Sequence, residues 1–246
     1  MRRFYISPSE LERPEPCITG KEARHLKTVL RLSAGDRIRV TDGAGRICDA
    51  RIISIEEKAV RVVIENRIEA GNESPLDLIV AQGFLKDKKM DDLVRHLTEL
   101  GVTRWIPMMT RRTVARPDAR RMKKRMERWQ TISLEAIKQC GRSMVPEIAP
   151  VMDFSEVLSL GATVDAGLFF WEQARAPLAA SEENSPGAIL LLLGPEGGFT
   201  ENEAADAEAS GFFAVSMGCR ILRAETAAIS ACTLVQYVFG DLQKSP

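Results

Sequence analysis

The stretch that most constrains this chain runs from Ala188 to Ala231. Residues 188–193 read AILLLL and are followed at once by Gly194 and Pro195. A short, wholly apolar run that stops at a glycine-proline turn fits a strand buried on both faces, as in a parallel sheet covered by helices. Gly197 and Gly198 leave the turn bare, so its backbone can approach a ligand closely. Thr200, with Glu203 three residues on, forms a capping box for the alanine- and glutamate-rich helix that follows. A second unit of the same kind comes next: residues 212–215 (FFAV) read as a strand, Gly218 breaks it, and Ile221, Leu222 and Arg223 lead into an apolar terminal helix from about Ala224. In open α/β sheets ligands bind beyond the carboxyl ends of strands. The two bends together are therefore the leading candidate site.

The chemistry of the bends narrows the ligand. Neither carries the lysine and Ser/Thr of a phosphate loop, nor the G-x-G-x-x-G of a dinucleotide fold. The first bend has Glu196, with Glu201 and Glu203 behind it, and the only cations from 188 to 231 are Arg220 and Arg223. Such a turn repels phosphate. An uncharged or partly cationic ligand held by backbone groups and apolar walls suits it better, and S-adenosylmethionine, with its sulfonium, is a molecule of that kind.

Charge divides the 246 residues into two halves. Residues 1–150 hold 30 Lys and Arg against 21 Asp and Glu, whereas residues 151–246 hold 4 against 13, so a formal net charge of zero conceals a balance of +9 followed by −9. That asymmetry points to an anionic polymer meeting the front and a different ligand bound behind, although solvated surface charge accounts for part of it. No apolar run approaches the roughly 20 residues of a membrane helix, and the N-terminus lacks the apolar core of a signal peptide; the expected location is the cytoplasm. The five cysteines, at 17, 48, 140, 219 and 232, are odd in number and form no C-x-x-C pair. They predict small buried side chains rather than disulfides or a metal cage, and no metal is expected.

In chain order, the front is β-rich. Runs at 37–41, 47–55 and 59–64, with Asp42 and Gly43 between the first two, predict a hairpin. A helix is expected from Lys21 to Arg31, with Leu26, Val29 and Leu30 on one face and His25 beside them. Cations stud this part: Arg2, Arg3, Arg24, Lys27, Arg31, Arg37 and Arg39. An isolated histidine beside apolar residues is more often packed than catalytic, so His25 is not assigned to catalysis, and His96 is read as surface. Residues 68–75, with Gly71, Asn72, Ser74 and Pro75, form the linker. Beyond it, a strand at 76–81, a helix at 87–100 and a strand at 102–109 predict a parallel sheet with right-handed crossovers. Asp118 caps a long helix to about Gly141, whose apolar members Met122, Met126, Trp129, Ile132, Ala136, Ile137 and Cys140 recur at helical spacing. Its other face carries Arg120, Arg121, Lys123, Lys124, Arg125 and Arg128, with Arg111, Arg112 and Arg116 upstream. That is the densest cationic patch, and RNA phosphate is its natural partner. A further buried strand spans 164–171 and ends at Glu172.

GPEGGFT at 194–200 followed by GCRILRAETA at 218–227 resembles the C-terminal signature of the SPOUT methyltransferases, and more narrowly that of the RsmE family, which methylates uridine N3 in 16S ribosomal RNA. The likeness spans nearly the whole chain: HLKTVLR at 25–31, KDKKM at 86–90 leading to TELGV at 98–102, Arg128 with Trp129, EAIKQ at 135–139, then Arg142 and Pro146. One departure stands at residues 110–113, TRRT, where the family usually shows an acid before Arg-Ser or Arg-Cys.

The resemblance implies an α/β protein with a PUA-like RNA-binding β-barrel at residues 1–72 and a SPOUT α/β domain with a trefoil knot at 75–246. It implies a homodimer that completes each active site, S-adenosylmethionine as cofactor, and small-subunit ribosomal RNA as partner. The cofactor would lie against Phe170, Trp171, Leu193, Gly194, Pro195, Gly197, Gly198, Met217, Gly218, Ile221, Leu222 and Ala227, with Glu172 also a candidate. RNA would meet Arg2, Arg3, Arg24, Arg31, Lys88, Arg111, Arg112, Arg120, Lys123 and Lys124. Uridine N3 becomes nucleophilic only when its proton leaves. Arg223 is the candidate for holding the charge that spreads onto O2 and O4, and Glu196 or Glu225 the candidate proton acceptor, although acids at helix starts commonly serve the helix dipole. A non-catalytic RNA-binding assembly factor would explain the basic front but leaves the glycine bends without a purpose. A nucleotide-using enzyme is disfavoured by the acidic turn.

Overall fold

Parallel pairing throughout the larger sheet follows from strands that are apolar on both faces. The structure is a computed structural model that describes residues 1–69, 71–114, 118–179 and 186–243; Arg116 lies outside the described residues. Contacts divide the chain into two compact units, residues 1–73 with 134–145, and residues 74–133 with 146–246.

In the second unit the strands are β6 (Asp77–Gly83), β7 (Arg104–Met109), β8 (Glu147–Ile148), β9 (Met152–Asp153), β10 (Ala166–Phe170), β11 (Ala188–Leu193) and β12 (Phe213–Val215). Their order is β12-β10-β11-β6-β7-β8, with β9 also paired to β7, and every pairing is parallel. β11 and β6 lie in the middle. Ile189, Leu191 and Leu193 face one core while Leu190 and Leu192 face another, and all five are buried. Each such side chain stabilises by roughly 1.5–3 kcal/mol when removed from water, which is why the central run tolerates no polar residue.

The first core is closed by α3 (Lys89–Glu99), the front part of α4 (Ala119–Cys140) and α7 (Ala224–Val238). Leu93, Val94 and Leu97 of α3, Trp129 of α4, and Ala228, Ala231, Cys232 and Val235 of α7 pack on it at helical spacing. Trp129 meets Trp105 edge-on with centroids 4.8 Å apart and donates from Nε1 to Asp91 Oδ1 at 2.8 Å. Val157 of α5 (Phe154–Ser159) and Ala204 and Ala207 of α6 (Glu201–Ala209) close the other face. The strand read over 164–171 forms only from Ala166 to Phe170. Asp118 does cap α4, its Oδ1 accepting from Arg121 N at 2.8 Å.

The front unit holds β1 (Arg3–Tyr5), α1 (Pro8–Leu11), β2 (Cys17–Thr19), α2 (Gly20–Arg24), β3 (Arg37–Thr41), β4 (Ile47–Ile55) and β5 (Ala59–Ile68). Its five strands run in the order β1-β3-β4-β5-β2, around a core that includes Phe4, Leu26, Ile38, Val40, Ala50, Ile52 and Val62. The hairpin turn is fixed by buried Asp42, whose Oδ1 accepts from Ala44 N and Arg46 N at 2.9 and 3.0 Å. β5 extends to Ile68, four residues beyond the apolar run, and so takes in the start of the stretch read as linker.

Two expectations change here. The helix read over 21–31 is α2 followed by a π-helical turn, His25–Val29, in which Leu30 N donates to His25 O. The wider turn carries Val29 off the apolar face, leaving it 69% exposed while Leu26 is fully buried. Residues 134–145 group with the front unit because Glu73 gathers them: its Oε1 accepts from Ser143 N and Met144 N at 2.7 and 3.0 Å, and Oε2 from Arg142 Nε at 2.9 Å. Among the described residues no helix is long and apolar enough to cross a membrane.

Candidate active site

The carboxyl ends of β10, β11 and β12 open onto one pocket. The first bend, after β11, is closed by Gly198 N donating to Pro195 O at 2.9 Å, and Gly198 takes φ +66°, a conformation open to glycine. β6, the parallel neighbour of β11, ends against it. A Cβ on Gly83 would lie 2.8 Å from Gly194 C and 2.6 Å from Pro195 Cδ, so only glycine lets strand and bend approach this closely. Gln82 Nε2 donates to Gly194 O at 2.9 Å from the same strand.

The second bend, after β12, is tied to the chain leaving β10: Ser216 N donates to Ala176 O at 2.8 Å and Trp171 N to Val215 O at 3.2 Å. Gly218, at φ +94°, turns the chain toward α7. Arg223 is the N-cap residue of α7, its carbonyl accepting from Ala227 N at 2.8 Å.

These elements bring together Phe170, Trp171, Gly194, Pro195, Glu196, Gly197, Gly198, Met217, Gly218, Ile221, Leu222 and Ala227 as walls of the pocket, with Glu172, Phe199, Arg220 and Ala224 completing it. Leu193 is not on the wall; it is buried in the core beneath. Glu225 and Arg223 lie at the start of α7, beside the pocket rather than lining it. Trp171 lines the pocket, while its indole N–H is buried and has no partner among the described residues.

A third segment, the loop after β7, is drawn into the site by hydrogen bonds with no counterpart in the sequence reading. Glu203 is 98% buried: its Oε2 accepts from Thr200 N, closing the capping box, while its Oε1 accepts from Arg111 N at 2.8 Å. Arg112 Nη1 donates to Gly197 O at 2.7 Å. Arg111 thus acts through its main-chain amide, and Arg112 through a guanidinium laid on the first bend.

The two acids read as proton acceptors are both held by one lysine. Lys89 Nζ lies 3.3 Å from Glu196 Oε1 and 3.4 Å from Glu225 Oε2, and Glu196 Oε1 also accepts from Lys86 N at 3.0 Å. Burial acts to raise the Glu196 pKa, but the Lys86 amide, its own amide and Lys89 outweigh it, so the carboxyl is held below the ordinary range. An acid so stabilised as its anion is a weak proton acceptor. That argues against Glu196 as the proton acceptor; Glu225 shares the same lysine, and Glu172 is the carboxylate on the pocket wall without an ion pair among the described residues.

The candidate RNA contacts separate into two classes. Arg2, Arg24, Arg31, Lys88, Arg111, Arg120, Lys123 and Lys124 are exposed. Arg3 is half-buried against Gly141, and Arg112 is occupied by Gly197. Of the other cations on α4, Arg128 pairs with Asp91 at 2.7 Å, Arg121 with Asp118 at 3.3 Å, and Arg125 sits 5.3 Å over the Phe84 ring. Arg37, Arg39 and Lys27 of the front unit are likewise bound to Glu65, Asp49 and the Glu56 carbonyl. His25 is exposed and His96 half-buried. Among the described residues no group of side chains has the makings of a metal site. Only Cys48 and Cys232 are buried; Cys219 is exposed on the second bend, where the chain turns outward, so the expectation of buried cysteines holds for two of five.

The RNA methyltransferase domain family matches residues 72–236, and the RNA methyltransferase PUA domain family matches residues 18–65. The chain is 32% identical to ribosomal RNA small subunit methyltransferase E of Synechocystis over 92% of its own length and 74% of that protein's. It is 29% identical to the protein of the same name from Bacillus subtilis over 96% of each. Among solved structures, ribosomal RNA small subunit methyltransferase E from Neisseria gonorrhoeae bound to S-adenosyl methionine superposes with a TM-score of 0.86 at 33% identity, over 98% of this chain and 99% of that one.

Proposed function

The chain belongs to the ribosomal RNA small subunit methyltransferase E family, and from that premise we propose that it transfers the methyl group of S-adenosylmethionine to N3 of a uridine in small-subunit ribosomal RNA. The observation that carries the proposal is the pair of glycine bends lining one pocket at the carboxyl ends of three parallel strands. The residues present fit the donor. Gly194, Gly197 and Gly198 put no side chain between the bend and a ligand, and Phe170, Met217, Ile221 and Leu222 provide apolar walls. When bound, the donor supplies an electrophilic methyl carried on a sulfonium.

The chain's own residues then do three things. The bends and walls hold the donor and exclude water from the methyl. Arg223, at the start of α7 next to Leu222, stabilises the negative charge that spreads onto O2 and O4 as N3 loses its proton. Glu172, the pocket carboxylate with no ion pair among the described residues, takes that proton. RNA phosphates lie on the exposed cations, with Arg120, Lys123 and Lys124 of α4 the densest run.

We also propose that residues 217–223 thread to form a trefoil knot and that the chain acts as a homodimer in the cytoplasm. In support of threading, α7 returns from the β12 edge to the middle of the sheet, where it packs on β11 and α3. Leu234 and Tyr237, exposed on the outer face of α7, support a partner there. The test is incubation of the full chain with undermethylated small-subunit RNA and labelled S-adenosylmethionine, followed by mass spectrometry of the nucleosides. 3-Methyluridine is expected; methylation of another base or position would overturn the assignment, and no methylation would favour a binding factor.

A further inference from the structure

We infer that Lys89 is a positioning residue of this site: by holding Glu196 and Glu225 together it fixes the first bend against the start of α7 and so sets affinity for the methyl donor. The inference rests on the reading that the pocket takes that donor.

Lys89 opens α3, where a cation opposes the helix dipole. Its place is explained by what it joins. Glu196 belongs to the first bend and Glu225 to the first turn of α7, two elements that supply opposite walls of the pocket, and the ammonium lies within 3.4 Å of an oxygen of each. The buried Oε2 of Glu225 makes no hydrogen bond among the described residues, so Lys89 is its charge partner. Glu196 is doubly anchored, since the Lys86 amide also donates to it. Among the described residues the charged groups paired with the ammonium are these two carboxylates.

Burial acts to lower the Lys89 pKa, but the two carboxylates outweigh it and raise it. Glu196 is shifted in the opposite sense. Both shifts keep Lys89 and Glu196 charged from above the carboxylate range to below the lysine range, so their pairing is intact throughout the neutral region. Without the lysine, two carboxylates face each other with no cation between them. Their repulsion would part the bend from α7 until one takes up a proton.

That difference separates an electrostatic role from simple packing. Full-length wild type, Lys89→Met, Lys89→Arg and the double variant Lys89→Met/Glu225→Gln are titrated calorimetrically with S-adenosylmethionine at pH 8 and pH 5.5. Lys89→Met should bind about tenfold or more weakly at pH 8, regain affinity at pH 5.5, and be rescued at pH 8 by the added Glu225→Gln; Lys89→Arg should stay near wild type. Wild-type affinity in Lys89→Met, or a loss that neither low pH nor Glu225→Gln relieves, would overturn the inference. Absence of binding by the wild type would instead refute the donor reading on which it rests.

Discussion

Replacing Gly83 by alanine tests how the first bend is held in place. Gly83 ends β6 directly under Gly194 and Pro195, and its φ is one that any residue adopts, so the added methyl acts through space alone. That methyl would meet Pro195 N, Pro195 Cδ at 2.6 Å and Gly194 C at 2.8 Å. Carbon atoms prefer roughly 3.5–4.0 Å, so strand and bend must separate by about 1 Å. Main chain and a proline ring cannot swing aside as a flexible side chain does. Overpacking of this kind costs about 1–3 kcal/mol, and loss of the Gln82 to Gly194 hydrogen bond adds about 1 kcal/mol. The stiffer unfolded chain offsets about 0.4–1 kcal/mol of this. A net cost of about 1–3.6 kcal/mol corresponds to a fall in Tm of about 2–14 °C. Thermal unfolding and calorimetry with S-adenosylmethionine read the two consequences, with Gly71→Ala as control, because a methyl there meets nothing within 4 Å. The donor should bind Gly83→Ala at least about tenfold more weakly. A Tm equal to that of Gly71→Ala together with unchanged donor affinity would refute the packing argument.

Arg223→Ala should abolish methyl transfer while calorimetry still finds donor binding; near-normal turnover would remove Arg223 from the mechanism. Because Glu196 has a lowered pKa, its contribution to stability is present above its ordinary unfolded value of about 4.3 and is lost as pH falls through the lower folded value. The stability gap between wild type and Glu196→Gln, measured by urea unfolding, should therefore be constant from pH 8 to about 5 and close below that; a gap that widens in acid would contradict the sign. Lys123→Ala/Lys124→Ala should weaken RNA binding about equally across sequences and reduce the slope of log affinity against log salt by about 1 for each phosphate no longer neutralised, with donor affinity unchanged. An unaltered slope would leave that face of α4 as solvated surface.

Local signals were the legible ones. The strand, glycine bend and capped helix at 188–209 can be read from the chain because an apolar run, Gly194 and the Thr200 to Glu203 box are neighbours in sequence and the physics joining them acts over a few residues. Phe199, Arg220 and Ala224, absent from the sequence-based set of pocket residues, sit inside the same two motifs, and continuity of the wall was the signal that would have found them. Leu193 went the other way: strand alternation puts it in the core with Ile189 and Leu191, a period-2 inference that the unbroken leucine run obscured.

What stayed hidden depends on contacts between distant residues. Glu203 has the form of an ordinary capping-box acid, and nothing near it in sequence shows that its second oxygen will take the amide of Arg111, 92 residues away. Read singly, Glu196 and Glu225 looked like candidate bases because an acid beside a pocket is a plausible one. Lys89 changes their meaning, yet it stands among Lys86 and Lys88 in a run indistinguishable from a solvated surface turn. Only the fold selects it, by placing α3 so that one ammonium faces two carboxylates from different segments. Charge roles in such a site are properties of pairs. A sequence supplies the members, and the sheet order, which carries α7 back from β12 to the middle of the sheet, decides which of them meet.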